Sequence, residues 1–82
     1  MTIDNKLLQY ILHKCGTTIN HLSKSTGINY NYLYSIEYAN RKFLDEELDL
    51  LREYLKKNTT LSERYIHMRI YKIKKRNMNN KK

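Results

Sequence analysis

Three histidines and one cysteine, His13, His21, His67 and Cys15, are the side chains of this 82-residue chain best suited to bind a metal or attack a substrate. Their spacing matches no zinc ligand set, and Glu63 with His67, four residues apart, gives a helix only two ligands. The histidines are therefore read as solvated or packed. No nucleophile, base and acid stand in a recognisable arrangement, and a chain with two glycines has no glycine-rich phosphate loop. A domain this short buries only around two-thirds of its unfolded surface, which leaves little room for an active-site cleft. The expectation is a protein that is not an enzyme, with no metal and no cofactor.

The other chemistry available is charge. Residues 1–63 carry eight bases and eight acids, so this part is neutral. The whole formal excess of +8 lies in residues 64–82, as Arg64, Arg69, Lys72, Lys74, Lys75, Arg76, Lys81 and Lys82, with no acid among them. An acid-free basic segment points to a polyanionic partner; its other reading is a solvated end that keeps the chain soluble. Cys15 has no second cysteine to pair with, which fits a reduced compartment. No apolar run approaches the length of a membrane span, and the start, Met1-Thr2-Ile3-Asp4, has an acid where a signal peptide wants a base. These features predict a cytoplasmic protein without a membrane partner. Abundant Lys, Asn, Ile and Tyr, with no Pro or Trp, suit AT-rich codons and hence a low-GC bacterium or its phage.

The elements that must position these residues follow from periodicity and caps. Leu8, Ile11, Leu12 and Cys15 share one helical face before Gly16, which predicts a helix over residues 5–14. Thr18 offers an N-cap, Ile19 and Leu22 lie three apart, and Gly27 ends a short helix over 19–25. Asn29 caps the next, over 30–38, with Leu33 and Ile36 inward. Asp45 is read as the cap of a fourth, ending near Lys57, with Leu48, Leu51 and Leu55 inward and early acids suited to the helix dipole. Thr60-Leu61-Ser62-Glu63 has capping-box form and predicts a fifth helix from about Leu61. There the pattern is double. Leu61, Tyr65 and Met68 lie on one side of a helix and Ile66, Ile70 and Ile73 on nearly the other, while alternation across Ile66, Met68 and Ile70 also suits a strand. Helix is the reading preferred, and Asn77 to Lys82 is read as a disordered tail. The fold class expected is all-α, a four- to five-helix bundle.

Helices 2 and 3 form the most informative stretch: two short helices around a glycine corner, the second with an apolar inner edge and a free outer face. Residues 29 to 36 hold no charge, and Tyr30, Tyr34 and Tyr38 fall four apart along one edge. A tyrosine stripe of this kind serves half-buried packing or an interface, where tyrosine is enriched.

The stretch from Leu8 to Leu55 resembles the Cro/XRE family of helix-turn-helix regulators. Leu22-Ser23, Gly27-Ile28, Leu33, Ile36-Glu37 and Arg41 fall where that family has its Leu-Ala, Gly-Val, Ile, Ile-Glu and basic positions. The resemblance implies sequence-specific binding to double-stranded DNA, with Tyr30, Asn31, Tyr34 and Ser35 at base edges. Asparagine can bond adenine N6 and N7, and a tyrosine ring can meet a thymine methyl. Thr18, Asn20, Asn29, Asn40, Arg41 and Lys42 would hold phosphates, and Tyr32 would lean toward helix 2 or a phosphate. The chain departs from the family at Ile19, Ser23, Ala39 and Leu12, where Gln, Ala, Gly and an Arg are frequent. Without that Arg, Glu37 needs another cation, such as Arg41 or Lys14.

The domain reading that results is a DNA-binding part over 1–58, a basic segment over 59–76 and a tail over 77–82. The basic segment is expected to hold a second copy through Ile66, Ile70 and Ile73 and phosphate through Lys72, Lys74, Lys75 and Arg76. A homodimeric phage or mobile-element repressor is the leading expectation. The competing one is a helical protein-interaction module, such as an antirepressor or a modulator of a host regulator, motivated by the uncharged third helix. A weaker third is nonspecific nucleic-acid binding by the basic segment alone.

Overall fold

The computed structural model describes residues 2–79. These form five helices and no strand: α1 (Ile3–Lys14), α2 (Ile19–Thr26), α3 (Tyr30–Tyr38), α4 (Asp45–Asn58) and α5 (Glu63–Asn79). The all-α expectation holds, and the ambiguity after Ser62 resolves to helix. The described residues fall in two compact units that divide between Lys42 and Phe43. Helix α4 falls in the same unit as α5 and packs on it.

In the first unit, α3 packs on both α1 and α2. Leu7, Leu8, Ile11, Leu22, Ile28, Leu33 and Ile36 are buried, each worth about 1.5–3 kcal/mol of apolar transfer when fully covered. Leu12 and Cys15, expected inward, are only half-buried, because the inner face of α1 is rotated toward Asp4, Asn5 and Leu7. The helix also starts two residues earlier than expected, since the Thr2 hydroxyl accepts from the Asn5 N–H at 3.0 Å and caps it. Buried Asn5 then joins α1 to the end of α3. Its Nδ2 donates to the carbonyls of Ile36 at 3.4 Å and Glu37 at 2.9 Å, two of the last-turn carbonyls a helix leaves without partners.

In the second unit α4 and α5 form an antiparallel hairpin. Asn77 Nδ2 donates to the Phe43 carbonyl at 3.0 Å and to Asp45 Oδ1 at 3.1 Å, tying the end of α5 to the start of α4. At the other end Lys56 Nζ lies 3.2 Å from Glu63 Oε1. Leu48, Leu51, Tyr54 and Leu55 of α4 and Ile66, Ile70 and Ile73 of α5 are buried. Two caps differ from expectation. Leu44, not Asp45, holds the cap position of α4, where the Glu47 side chain accepts from the Leu44 N–H at 2.8 Å. Ser62, not Thr60, caps α5, its hydroxyl accepting from the Tyr65 N–H at 3.2 Å. Part of the expected disordered tail is also corrected: residues 77–79 continue α5, with Asn77 as its anchor, and residues 80–82 lie outside the described residues.

Candidate nucleic-acid interface

Local chemistry fixes α3 to α2 by a three-residue turn. The Thr18 hydroxyl accepts from the His21 N–H at 3.2 Å and starts α2. Gly27 ends it with φ of 80°, a left-handed conformation that glycine adopts without a Cβ penalty. The Ser23 hydroxyl donates to the Ile28 carbonyl at 2.6 Å and so ties the corner to α2. Asn29 Oδ1 accepts from the Tyr32 N–H at 3.2 Å. Thr18 and Asn29, both expected at phosphate, thus have their oxygens engaged as helix caps. Their geometry leaves Asn20 exposed on the first turn of α2.

Leu33 and Ile36, both 0% exposed, anchor α3 and set its phase. On the opposite side Tyr30, Tyr34 and Tyr38 are 44%, 48% and 68% exposed. They lean on one another: Tyr30 and Tyr34 have centroids 6.2 Å apart at 28°, and Tyr34 and Tyr38 are 4.5 Å apart at 43°. This is an exposed ladder of rings, not half-buried packing. Asn31 is exposed among them, and its amide has no intramolecular partner among the described residues. Ser35 differs from the other three: it is half-buried, and its hydroxyl donates to the Asn31 carbonyl at 2.8 Å, which leaves it only accepting capacity.

Tyr32 reaches the loop that follows α3. Its hydroxyl donates to the Lys42 carbonyl, and the Arg41 guanidinium sits 5.0 Å above its ring. The loop it clamps includes Asn40, whose φ of 55° is left-handed, and presents Arg41 and Lys42 as exposed cations. Tyr32 thus also positions the loop, a role the sequence does not disclose because its partner is a backbone carbonyl that no residue type announces. Glu37 likewise finds amides in place of a cation: Asn5 Nδ2 at 3.3 Å and Gln9 Nε2 donate to its carboxylate.

The basic segment is reorganised more strongly. Ile66, Ile70 and Ile73 are at most 2% exposed within the single chain, so they have no surface left to give a second copy. Of the four expected phosphate contacts, Lys74 is paired with Asp49 at 2.5 Å and Arg76 donates to Asn77 Oδ1 at 2.6 Å. Lys72 and Lys75 stay exposed and unpaired among the described residues.

His13 and His21 are exposed, and His67 lies against Tyr71. Among the described residues no three His, Cys, Asp or Glu side chains gather as a metal-binding group, and no helix is long and apolar enough to cross a membrane. Burial pushes the Cys15 thiol above its usual range, while neighbouring Lys14 pulls it partly back. No family model matches this sequence, and no match was found among curated proteins or solved structures.

Proposed function

We propose that this chain is a sequence-specific DNA-binding regulator that lays the outer face of α3 in the major groove. The observation that carries the reading is Asn31: an uncommitted, exposed amide on the same helix as the exposed rings of Tyr30 and Tyr34, whose phase is set by buried Leu33 and Ile36. An amide there offers the donor and acceptor pair that reads adenine, and rings beside it suit thymine methyls. Arg41 and Lys42 follow α3 as exposed cations, and residues 1–42 hold five bases against two acids. The attraction to phosphate that α3 itself lacks is then supplied by its surroundings. The resemblance of residues 8–55 to Cro/XRE regulators supports the same assignment.

A homodimer on a near-palindromic site, its recognition helices about 34 Å apart, belongs to the proposal. Its contact surface is not the isoleucine face of α5. A cytoplasmic regulator in a low-GC bacterium or its phage completes it. The uncharged tyrosine ladder favours one other reading, a protein surface binding a host or phage regulator. Sequences selected from random duplex DNA by the full-length chain decide between them: a shared motif supports DNA readout, and unenriched sequence contradicts it.

A further inference from the structure

We infer that α5 carries a second nucleic-acid surface, distinct from α3, on which Arg64, His67, Tyr71 and Lys75 hold a single strand by its phosphates and bases. These residues fall three, four and four apart, so they form one line along the helix, on the side away from Ile66, Ile70 and Ile73. The line rises about 16 Å over eleven residues, enough to follow several nucleotides. His67 and Tyr71 are stacked at 5.9 Å with their planes within 19°, and Tyr71 is 49% exposed. A ready-made ring pair with a free face is a platform for a base.

The electrostatics isolate this line. Of the acids of α4 and the first turn of α5, Asp49 pairs with Lys74 and Arg52, Glu53 and Glu63 lie beside Lys56, Asp45 accepts from Asn77, Glu47 accepts from the Leu44 N–H, and Glu46 is exposed. Arg64, Lys72 and Lys75 have no carboxylate partner among the described residues. At the head of the line Arg64 and His67 also border a cleft of about 430 Å³ whose other lining, Arg52, Glu53, Lys56 and Glu63, is formally neutral.

Charge complementarity selects the occupant. A second copy docked here would bring Arg64, Lys72 and Lys75 toward their own kind, which costs free energy that a polyanion would instead release. An anionic lipid surface needs an apolar face segregated from the charged one. Here the apolar face is buried against α4, and the outer residues mix rings and cations. Exposed rings between unpaired bases suit unpaired nucleotides, whose stacking is tolerant of sequence.

The inference does not rest on the reading of α3, and one experiment keeps the two apart. Fluorescence anisotropy of the full chain would be followed with labelled oligo-dT of about 20 nucleotides, random-sequence duplex and phosphatidylserine vesicles, across a salt series. Tyr71→Ala should weaken oligo-dT binding roughly five- to hundredfold, while Tyr71→Phe, which keeps the ring, should retain it. The double change Arg64→Gln and Lys75→Gln should flatten the slope of log affinity on log salt by about 1.4, or about 0.7 per cation. Asn31→Ala should leave oligo-dT binding intact. Circular dichroism checks folding, and should Tyr71→Ala unfold, the salt slope of the double variant decides. Undiminished oligo-dT binding in the double variant, equal loss in Asn31→Ala, or capture of vesicles in place of oligo-dT would overturn the proposal.

Discussion

Helices α3 and α5 bury their inner faces in the same way and leave opposite outer faces. Leu33 and Ile36 disappear beneath α3 as Ile66, Ile70 and Ile73 do beneath α5. Outside, α3 shows rings and an amide, and its single charge, Glu37, is held by Asn5 and Gln9. The outside of α5 interleaves Tyr71 and Met68 with Arg64, Lys72 and Lys75. Short-range groups of α3's kind distinguish one base edge from another, whereas cations follow any phosphate. On the readings proposed above, the two faces divide the task, with discrimination on α3 and attraction on α5.

The comparison breaks first on the inner faces. Leu33→Ala and Ile70→Ala should each cost about 2–5 kcal/mol in urea unfolding, because each empties a filled site. If Ile70→Ala instead left stability unchanged and released a monomer in sedimentation, α5 would be a dimer element after all. On the outer faces, Asn31→Ala should lose about 1–3 kcal/mol of affinity for a selected duplex without lowering the melting temperature. Ser35→Ala should lose less, since its hydroxyl already serves the Asn31 carbonyl. An Asn31 variant that melts while Leu33→Ala does not would show the phase of α3 to be wrong.

Support for α3 can be tested at finer scale. Asn5→Ala strands the carbonyls of Ile36 and Glu37 and should cost about 1–3 kcal/mol, against a few tenths for exposed Gln9→Ala. Gly27→Ala should cost about 1–2 kcal/mol from its left-handed φ alone, as a Cβ there meets nothing within 4 Å. Thermal unfolding checks all three variants. The smallest effect concerns Cys15. Only the thiolate alkylates, and a raised pKa lowers its fraction, so iodoacetamide should react more slowly near pH 8 than with an unstructured thiol. Equal rates would contradict the burial of that side chain.

Legibility in the sequence followed the length scale of the cause. Helix α3 was readable to its ends, Tyr30 and Tyr38, since its cap is its immediate neighbour Asn29 and its phase is set by Leu33 and Ile36. The caps of α4 and α5 were misplaced by one or two residues. Side chains at Asp45 and Thr60 could each cap in principle, and backbone geometry chose Leu44 with Glu47 and Ser62 instead. The two-faced pattern of α5 could not be resolved from spacing. A two-helix unit buries one face of each helix, and α4 took the isoleucines, leaving Tyr65, Met68 and Tyr71 outside. The side-chain partners described for Tyr32, Glu37 and Lys74 lie nine or more residues away and were invisible for that reason.

The central claim is that α3 reads base sequence. Selection from random duplex DNA with the full-length chain, repeated with Asn31→Ala, tests it most directly. The account predicts a recurring motif containing an A·T pair whose preference relaxes in the variant, while general affinity for duplex survives. Bound sequences with no motif, or a motif indifferent to Asn31, would contradict it.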